Sequence, residues 1–406
     1  MKIKIIILFL IIITLSGCWE YKELDDFNLI SGIGVDYDNK SKTYLITLQI
    51  LNITRPESEG SAGGAEAKLP FATYDAKGKT ILEAINKVVL TIPKEPYLGH
   101  LEVVLIGEQT AKNGLYDVLD FFLREKRARK IFPLIIVKGS TANEALKITS
   151  ALEDYPAKDL VTSLKHISYL SGSASSVSTF DKVVDCILQE GRNTSFNAIK
   201  IVGKPKKGET AKNVKTAEPQ TKIKIIGNAV FKDDKLVGFF KEKESLGYQI
   251  LRQRIKKFTL SFPCDKKKNY ASISVDKLKF NRKVDIKKGI PHASFNVEIE
   301  GSLNEINCSY DLKKTKNLKK IEKMADKELK RIINKTIKAT QKEFKSDVIG
   351  VGEHLYRYHH QEWKKLKDDW DNIYPTTKYD IKIKTKLKDV QAFLDSSKRR
   401  MKNAKK

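Results

Sequence analysis

Over residues 315–344 the apolar side chains Leu318, Ile321, Ala325, Leu329, Ile332, Ile333, Ile337 and Phe344 return every three or four positions, with lysine and glutamate between them. That spacing predicts one long helix with a single apolar face, about 45 Å from end to end at 1.5 Å per residue. A face of that length needs a broad partner, and a sheet is the element that offers one. The strand for it follows in the chain. Tyr379, Ile381, Ile383, Thr385 and Leu387 alternate with Asp380, Lys382, Lys384 and Lys386, the pattern of a strand with one face in a core and a basic face outside. Residues 347–373, carrying Val348, Val351, Leu355, Trp363, Leu366 and Trp370, read as a second helix or helix pair whose start is blurred by Gly350 and Gly352. Residues 272–278 and 293–299 read as further alternating strands.

The first half has a different rhythm. Residues 29–35 and the alternating Tyr44, Ile46, Leu48 and Ile50 form a hairpin pattern around the turn composition of Tyr37, Asp38, Asn39 and Lys40. A loop rich in Gly, Ala and Ser spans 55–70. Thr80 is placed to cap a helix through Ile81, Leu82, Ile85, Val88 and Val89, which Pro93 and Pro96 bring to an end. Strands at 101–106 and 131–137 then alternate with helices through Leu115, Val118, Leu119, Phe122 and Leu123 and across 140–152. Such alternation favours strands lying under helices over a β-sandwich. Residues 203–222 contain six lysines and two prolines without a large apolar residue, the composition of a linker or exposed loop. A second hairpin at 223–231 and 236–240 and a helix at 244–255 follow. The expected class is α+β, multi-domain, with mixed sheets, packed helices and long C-terminal helices against a sheet. The expected divisions are 1–17, 18–200, a linker or loop at 201–222, 223–395, and a basic tail at 396–406.

The leader sets the compartment. Lys2 and Lys4 precede an unbroken apolar run from Ile5 to Ile13, a signal-peptide core too short for a membrane span of ~20 residues. Leu15, Ser16, Gly17 and Cys18 follow, and together they resemble the lipobox at which bacterial lipoproteins are cleaved after a diacylglyceryl lipid is attached to the cysteine. Cys18 is thus the expected lipidation site and the first mature residue. Removing 17 of 406 residues leaves 389, and losing two leader lysines takes the formal charge from +26 to +24. Two acyl chains are what stable anchoring takes. An exported basic chain is matched to anionic lipid headgroups or an acidic envelope polymer rather than to nucleic acid. Cys186, Cys264 and Cys308 are odd in number and far apart, so neither a disulfide framework nor a metal knuckle is implied, and small buried residues are expected.

No catalytic constellation emerges. Gly32-Ile33-Gly34 lacks the third glycine and the following helix of a dinucleotide site. His354, His359 and His360 do not have the spacing of a zinc site and read as a solvated helix face. Trp363 and Trp370, seven apart, read as core or interface anchors. No G-x-S-x-G elbow is present. No cofactor beyond the covalent lipid on Cys18, no metal and no enzymatic activity are expected.

Read in order, several stretches resemble one family. They are Cys18-Trp19-Glu20, Glu23-Leu24-Asp25-Asp26, Ile30-Ser31-Gly32-Ile33-Gly34-Val35-Asp36, Leu98-Gly99-His100 with Leu105-Ile106-Gly107-Glu108, and Asp120-Phe121-Phe122-Leu123-Arg124. In the second half they are Gly227-Asn228-Ala229-Val230-Phe231-Lys232, Leu236-Val237-Gly238, Glu244-Ser245-Leu246-Gly247 and Ser346-Asp347-Val348-Ile349-Gly350-Val351-Gly352, then Trp363 and Trp370. The set is similar to the Ger(x)C spore germination lipoproteins, the C subunits of germinant receptors. Val351 stands between glycines where the family often carries phenylalanine beside them, and the 55–70 and 203–222 segments are longer than is usual. The resemblance implies an α+β fold of several mixed-sheet domains without enzymatic activity. It also implies a lipid-anchored place on the outer surface of the spore inner membrane and assembly with membrane-embedded A and B subunits in sensing nutrients such as amino acids or sugars. It assigns no germinant-contacting residue. The competing readings are a solute-binding lipoprotein of an uptake system, which shares the anchor but has two α/β lobes around a cleft, and an envelope hydrolase, which lacks its catalytic set here.

Overall fold

The computed structural model describes residues 26–52, 69–170, 177–265 and 269–389. The apolar runs of the first half form β1 (Phe27–Asp38), β2 (Thr43–Leu51), β3 (Phe71–Gly78), β4 (Glu95–Tyr97), β5 (Val103–Gly107), β6 (Leu134–Lys138), β7 (Ser195–Val202), β8 (Lys222–Lys232) and β9 (Lys235–Phe239). They join in one sheet in the order β3-β2-β1-β5-β6-β7-β8-β9, with β4 beside β1. The inner strands β1, β5, β6 and β7 run parallel, and antiparallel strands close both sides. The strands on the far side of the lysine-rich segment therefore complete the first sheet.

Helices cover both faces, which is what buried parallel strands require. They are α1 (Ile81–Val89), α2 (Glu108–Asn113), α3 (Tyr116–Arg124), α4 (Ala142–Leu146), α5 (Pro156–Leu170) and α6 (Phe180–Leu188). Thr80 caps α1 as its sequence suggests, accepting from Glu83 N at 3.1 Å. Alternate strand residues enter opposite cores. Val104, Ile106, Leu134 and Ile136 pack with α1, α3 and α6, while Val103, Leu105, Ile135 and Val137 pack with α4 and α5. The alternation of β2 predicts one buried face, yet Thr47 and Gln49 on its other face are also buried. The cause is that covering layer. Gln49 donates to Leu146 O at 2.8 Å and accepts from Ala157 N at 3.2 Å and Ser31 Oγ at 3.0 Å. Gly32 lies under the same helices, where a Cβ would stand 2.9 Å from Leu146 Cδ2. The glycines of the Gly32-Ile33-Gly34 run thus let helix and sheet approach. The helix expected over 140–152 ends at Leu146.

Residues 203–221 fold back on the body rather than trailing from it. Asn213 is buried and donates to Thr221 O at 2.9 Å and Thr149 O at 3.2 Å, while accepting from Thr221 N at 3.1 Å. Thr149 adds to the attachment, donating from its N and Oγ1 to Gly208 O at 2.8 Å each.

The second sheet comprises β10 (Phe258–Pro263), β11 (Tyr270–Lys287), β12 (Ile290–Ile306) and β13 (Lys378–Asp389) in that order. β10, β11 and β12 are antiparallel and β13 is parallel to β12. β11 and β12 form a hairpin of 18 and 17 residues, turned by Lys288 and Gly289 at positive φ. Strands of seven residues were expected there. They run longer because their second face is open to solvent and tolerates polar side chains throughout. The helices are α7 (Glu242–Leu251), α8 (Thr315–Lys338), α9 (Val351–Tyr358) and α10 (His360–Leu366). As predicted, α8 lies along the sheet through Ile321, Ala325, Leu329, Ile332, Ile333 and Ile337. It ends in a π turn at Ala339–Glu343, after which Ser346 N bonds Thr340 O and the chain reverses.

One expectation is corrected. Cys264 and Cys308 are not separate small core residues: they form a disulfide that ties the end of β10 to the segment after β12, with Cα atoms 6.2 Å apart. Partners 44 residues apart leave no short-range signature in the sequence. Cys186 is free and buried.

Candidate functional site at the junction of the two sheets

The segment from Ser346 to Glu353 is where the two halves meet. Chain reversal after α8 places Lys345 at φ 47° and Gly350 at φ 85°, and the intervening residues wedge against the first sheet. Ser346 Oγ donates to Phe231 O at 2.5 Å, and Asn193 N donates to Asp347 O at 3.1 Å. The Asp347 carboxylate accepts from Gly350 N, Val351 N and Gly352 N at 2.7, 3.1 and 2.8 Å, and from Trp370 Nε1 at 3.2 Å. Burial pushes its pKa up and these N–H groups oppose the push. All four contacts are donors, an arrangement made for a carboxylate, which also sits where the first turn of α9 leaves its N–H groups unbonded.

Glu353, on that first turn, gathers three guanidinium groups. Arg192 and Arg252 each reach Oε2 at 2.9 Å, and Arg357 reaches Oε1 at 2.9 Å. Arg252 also donates to Ile349 O, and Arg282 donates to Gly350 O and Leu251 O. Burial lowers the pKa of Arg282, and the nearby Asp347 and Glu353 carboxylates act against the shift. Two glycines meet at the centre. A Cβ on Gly352 would stand 2.7 Å from Gly191 O, and one on Gly191 would stand 2.5 Å from Gly352 C. Trp363 donates to Glu190 Oε1 at 2.8 Å and packs edge-on against Trp370. Both tryptophans are buried anchors of this junction, as their spacing suggests. Beside them opens a cavity of about 550 Å³ whose lining includes Glu190, Asp233, Asp347, Asp369 and Asp371.

The other residues singled out in the sequence lie elsewhere. Leu15, Ser16, Gly17 and Cys18 lie outside the described residues. His354 lies tilted against Tyr358 at the end of α9, 6.4 Å from the His359 ring, and burial lowers its pKa. No group of three His, Cys, Asp or Glu side chains among the described residues is placed to hold a metal ion. Lys382, Lys384 and Lys386 are exposed on the open face of β13. Sequence reasoning missed the Glu353 cluster, whose partners are up to 161 residues apart.

Residues 20–201 match the family described as spore germination protein N-terminal domain, and residues 226–391 match the family described as spore germination B3/GerAC like, C-terminal. The chain is 29% identical over 389 residues to spore germination protein KC of Bacillus subtilis, covering 94% of each chain. It is 27% identical to spore germination protein B3 of the same organism, covering 94% of this chain and 96% of that one. Among solved structures it resembles the crystal structure of the GerBC protein, with a TM-score of 0.52 and 21% identity over 88% of this chain and 97% of the other.

Proposed function

Because the chain belongs to the Ger(x)C family, the C subunits of spore germinant receptors, we propose that it is the lipid-anchored, non-catalytic subunit of such a receptor. In this reading the diacylglyceryl lipid on Cys18 holds it on the outer surface of the spore inner membrane, where it works with membrane-embedded A and B subunits in nutrient-triggered germination. The observation that carries the reading is the ordered pair of family matches running from residue 20 to 391. The leader ending in Leu15-Ser16-Gly17-Cys18 supports the anchor.

The anchor's contribution is concentration. A tether to the same bilayer as the partner subunits supplies an effective concentration of about millimolar for short linkers, without any added contact. The junction's contribution is rigidity. Asp347, Glu353 and the two glycines fix the second sheet against the first, so the molecule offers its partners one set of surfaces.

The test compares wild type with Cys18→Ala in spores of a strain lacking redundant receptors. The variant is expected to leave the membrane fraction, and one nutrient response is expected to disappear. Retention in the membrane would remove the anchor from the account. Release with every response intact would remove the receptor role.

A further inference from the structure

We propose that the outward side of α8 is the surface this protein lays against an anionic lipid membrane. The proposal rests on the anchored reading for the presence of a bilayer, and adds which face meets it.

Lys316, Lys319, Lys320, Lys323, Lys327, Lys330, Arg331, Lys335 and Lys338 are all exposed. At 3.6 residues per turn these positions share one side of a helix about 36 Å long. The three acidic residues of α8 are withdrawn from that side. Glu328 is buried and pairs with Arg331 and Lys243. Glu322 and Asp326 turn toward β13, accepting from Leu387 N at 2.9 Å and Thr385 N at 2.7 Å. Among the described residues no carboxylate lies within ion-pairing distance of Lys316, Lys319, Lys323, Lys327, Lys330, Lys335 or Lys338. The result is a ridge of nine cations with no exposed carboxylate along the helix.

The open face of the second sheet also carries lysines, but there the charge is interleaved. Across β11, β12 and β13 the register sets Lys277, Glu300 and Lys386 in one row and Lys279, Glu298 and Lys384 in the next. Glu300 pairs with both Lys277 and Lys388. The core side of that sheet is the side α8 covers, so the ridge and the lysine rows face opposite directions and a flat bilayer meets only one of them. Basic residues gain from an anionic surface in proportion to the charge left unneutralised. That favours the ridge.

The experiment measures partition of the mature chain carrying Cys18→Ala onto vesicles at low ionic strength. Vesicles of mixed phosphatidylglycerol and phosphatidylcholine are compared with phosphatidylcholine alone. Combining Lys319→Gln, Lys323→Gln, Lys327→Gln and Lys330→Gln is expected to weaken binding to the anionic vesicles roughly a hundredfold or more. Combining Lys382→Gln, Lys384→Gln and Lys386→Gln is expected to change it by less than about threefold. Circular dichroism checks that both variants keep the fold. An equal or greater loss in the sheet variant overturns the proposal, as does equal wild-type binding to phosphatidylcholine alone. Retention on single-stranded DNA without vesicle binding assigns the ridge to a soluble polyanion and likewise overturns it. Fractionation of Cys18→Ala in spores reads the anchor separately, so failure of either idea is seen without the other.

Discussion

Residue by residue, the junction turns on backbone conformations and carboxylates that sequence alone marks only faintly. Gly350 combines positive φ with crowding, since a Cβ there would stand 2.6 Å from Arg252 Nη1. Gly289 has a similar φ of 76° with nothing within 4 Å of its Cβ position. Gly350→Ala is therefore expected to lower the unfolding free energy by ~3 kcal/mol and Gly289→Ala by only ~1 kcal/mol, from strain with and without a clash. Denaturant midpoints at unchanged slope are the check, and equal losses would mean that crowding at the junction is unimportant. Asp36 is another buried carboxylate, accepting from Ala142 N and Asn143 N at 2.9 Å each. Burial pushes it from 3.8 up to about 6. A raised carboxyl contributes stability that is fully present below its unfolded value and is lost as pH rises through the folded one. Between pH 3.8 and about 6 the wild type should thus lose roughly 3 kcal/mol relative to Asp36→Asn, at ~1.4 kcal/mol per unit. Parallel stability–pH curves would contradict this. The tryptophans were legible as anchors because large aromatics at helical spacing seldom stay exposed. Arg192 and Arg252, around Glu353, were not, because pairs so far apart in the chain leave no periodicity.

Among the elements, the best-read were those whose signals are local. The hairpin of β1 and β2, the capped helix α1 and the strand β13 follow from alternation and turn chemistry within a dozen residues. Sheet order and the attachment of residues 203–221 depend on contacts between distant segments. The lower edge of the second sheet shows what such contacts achieve. Among the described residues β13 has a strand neighbour on one side only, and an open edge is a template for association with another chain. Glu322 and Asp326, one turn apart on α8, occupy the outward N–H groups of Leu387 and Thr385. Replacing both with alanine is expected to speed amide exchange at Thr385 and Leu387 and to promote self-association, read by hydrogen exchange and light scattering. Unchanged protection would show that these carboxylates do not guard the edge. The disulfide makes a separate contribution. Closing a loop with a sequence separation of 44 constrains the unfolded chain, and Cys264→Ser should lower stability by about 2–4 kcal/mol. Reductant should shift the wild type alone, and a variant already insensitive to reductant with no loss of stability would argue against the bond.

At the scale of the whole molecule, the described residues form two sheets of different build, joined by the 346–353 segment and by α7, whose Ser245, Tyr248 and Gln249 bond to Asn228 and Ser195 of the first sheet. The first is sealed by helices on both faces and the second is open on one, so the exposed charge of the second half divides between a ridge on α8 and the rows of β11, β12 and β13. The family was legible because its short motifs recur in order along nearly the whole chain, and several of those among the described residues fall where the structure turns or docks. Gly107, for instance, lies against the Asp36 carboxylate, and Gly350 and Gly352 lie in the junction. What no motif carries is the identity of the surfaces that meet partners, since these depend on which residues the fold leaves uncovered. The proposed role is assembly with membrane-embedded receptor subunits. The most direct measurement is affinity purification of the tagged full chain from detergent-solubilised spore membranes, with mass spectrometry of what accompanies it. Recovery of both an A and a B subunit in fixed proportion, abolished by Cys18→Ala, is the expected result. Recovery of the chain alone under conditions that preserve other receptor complexes would contradict it.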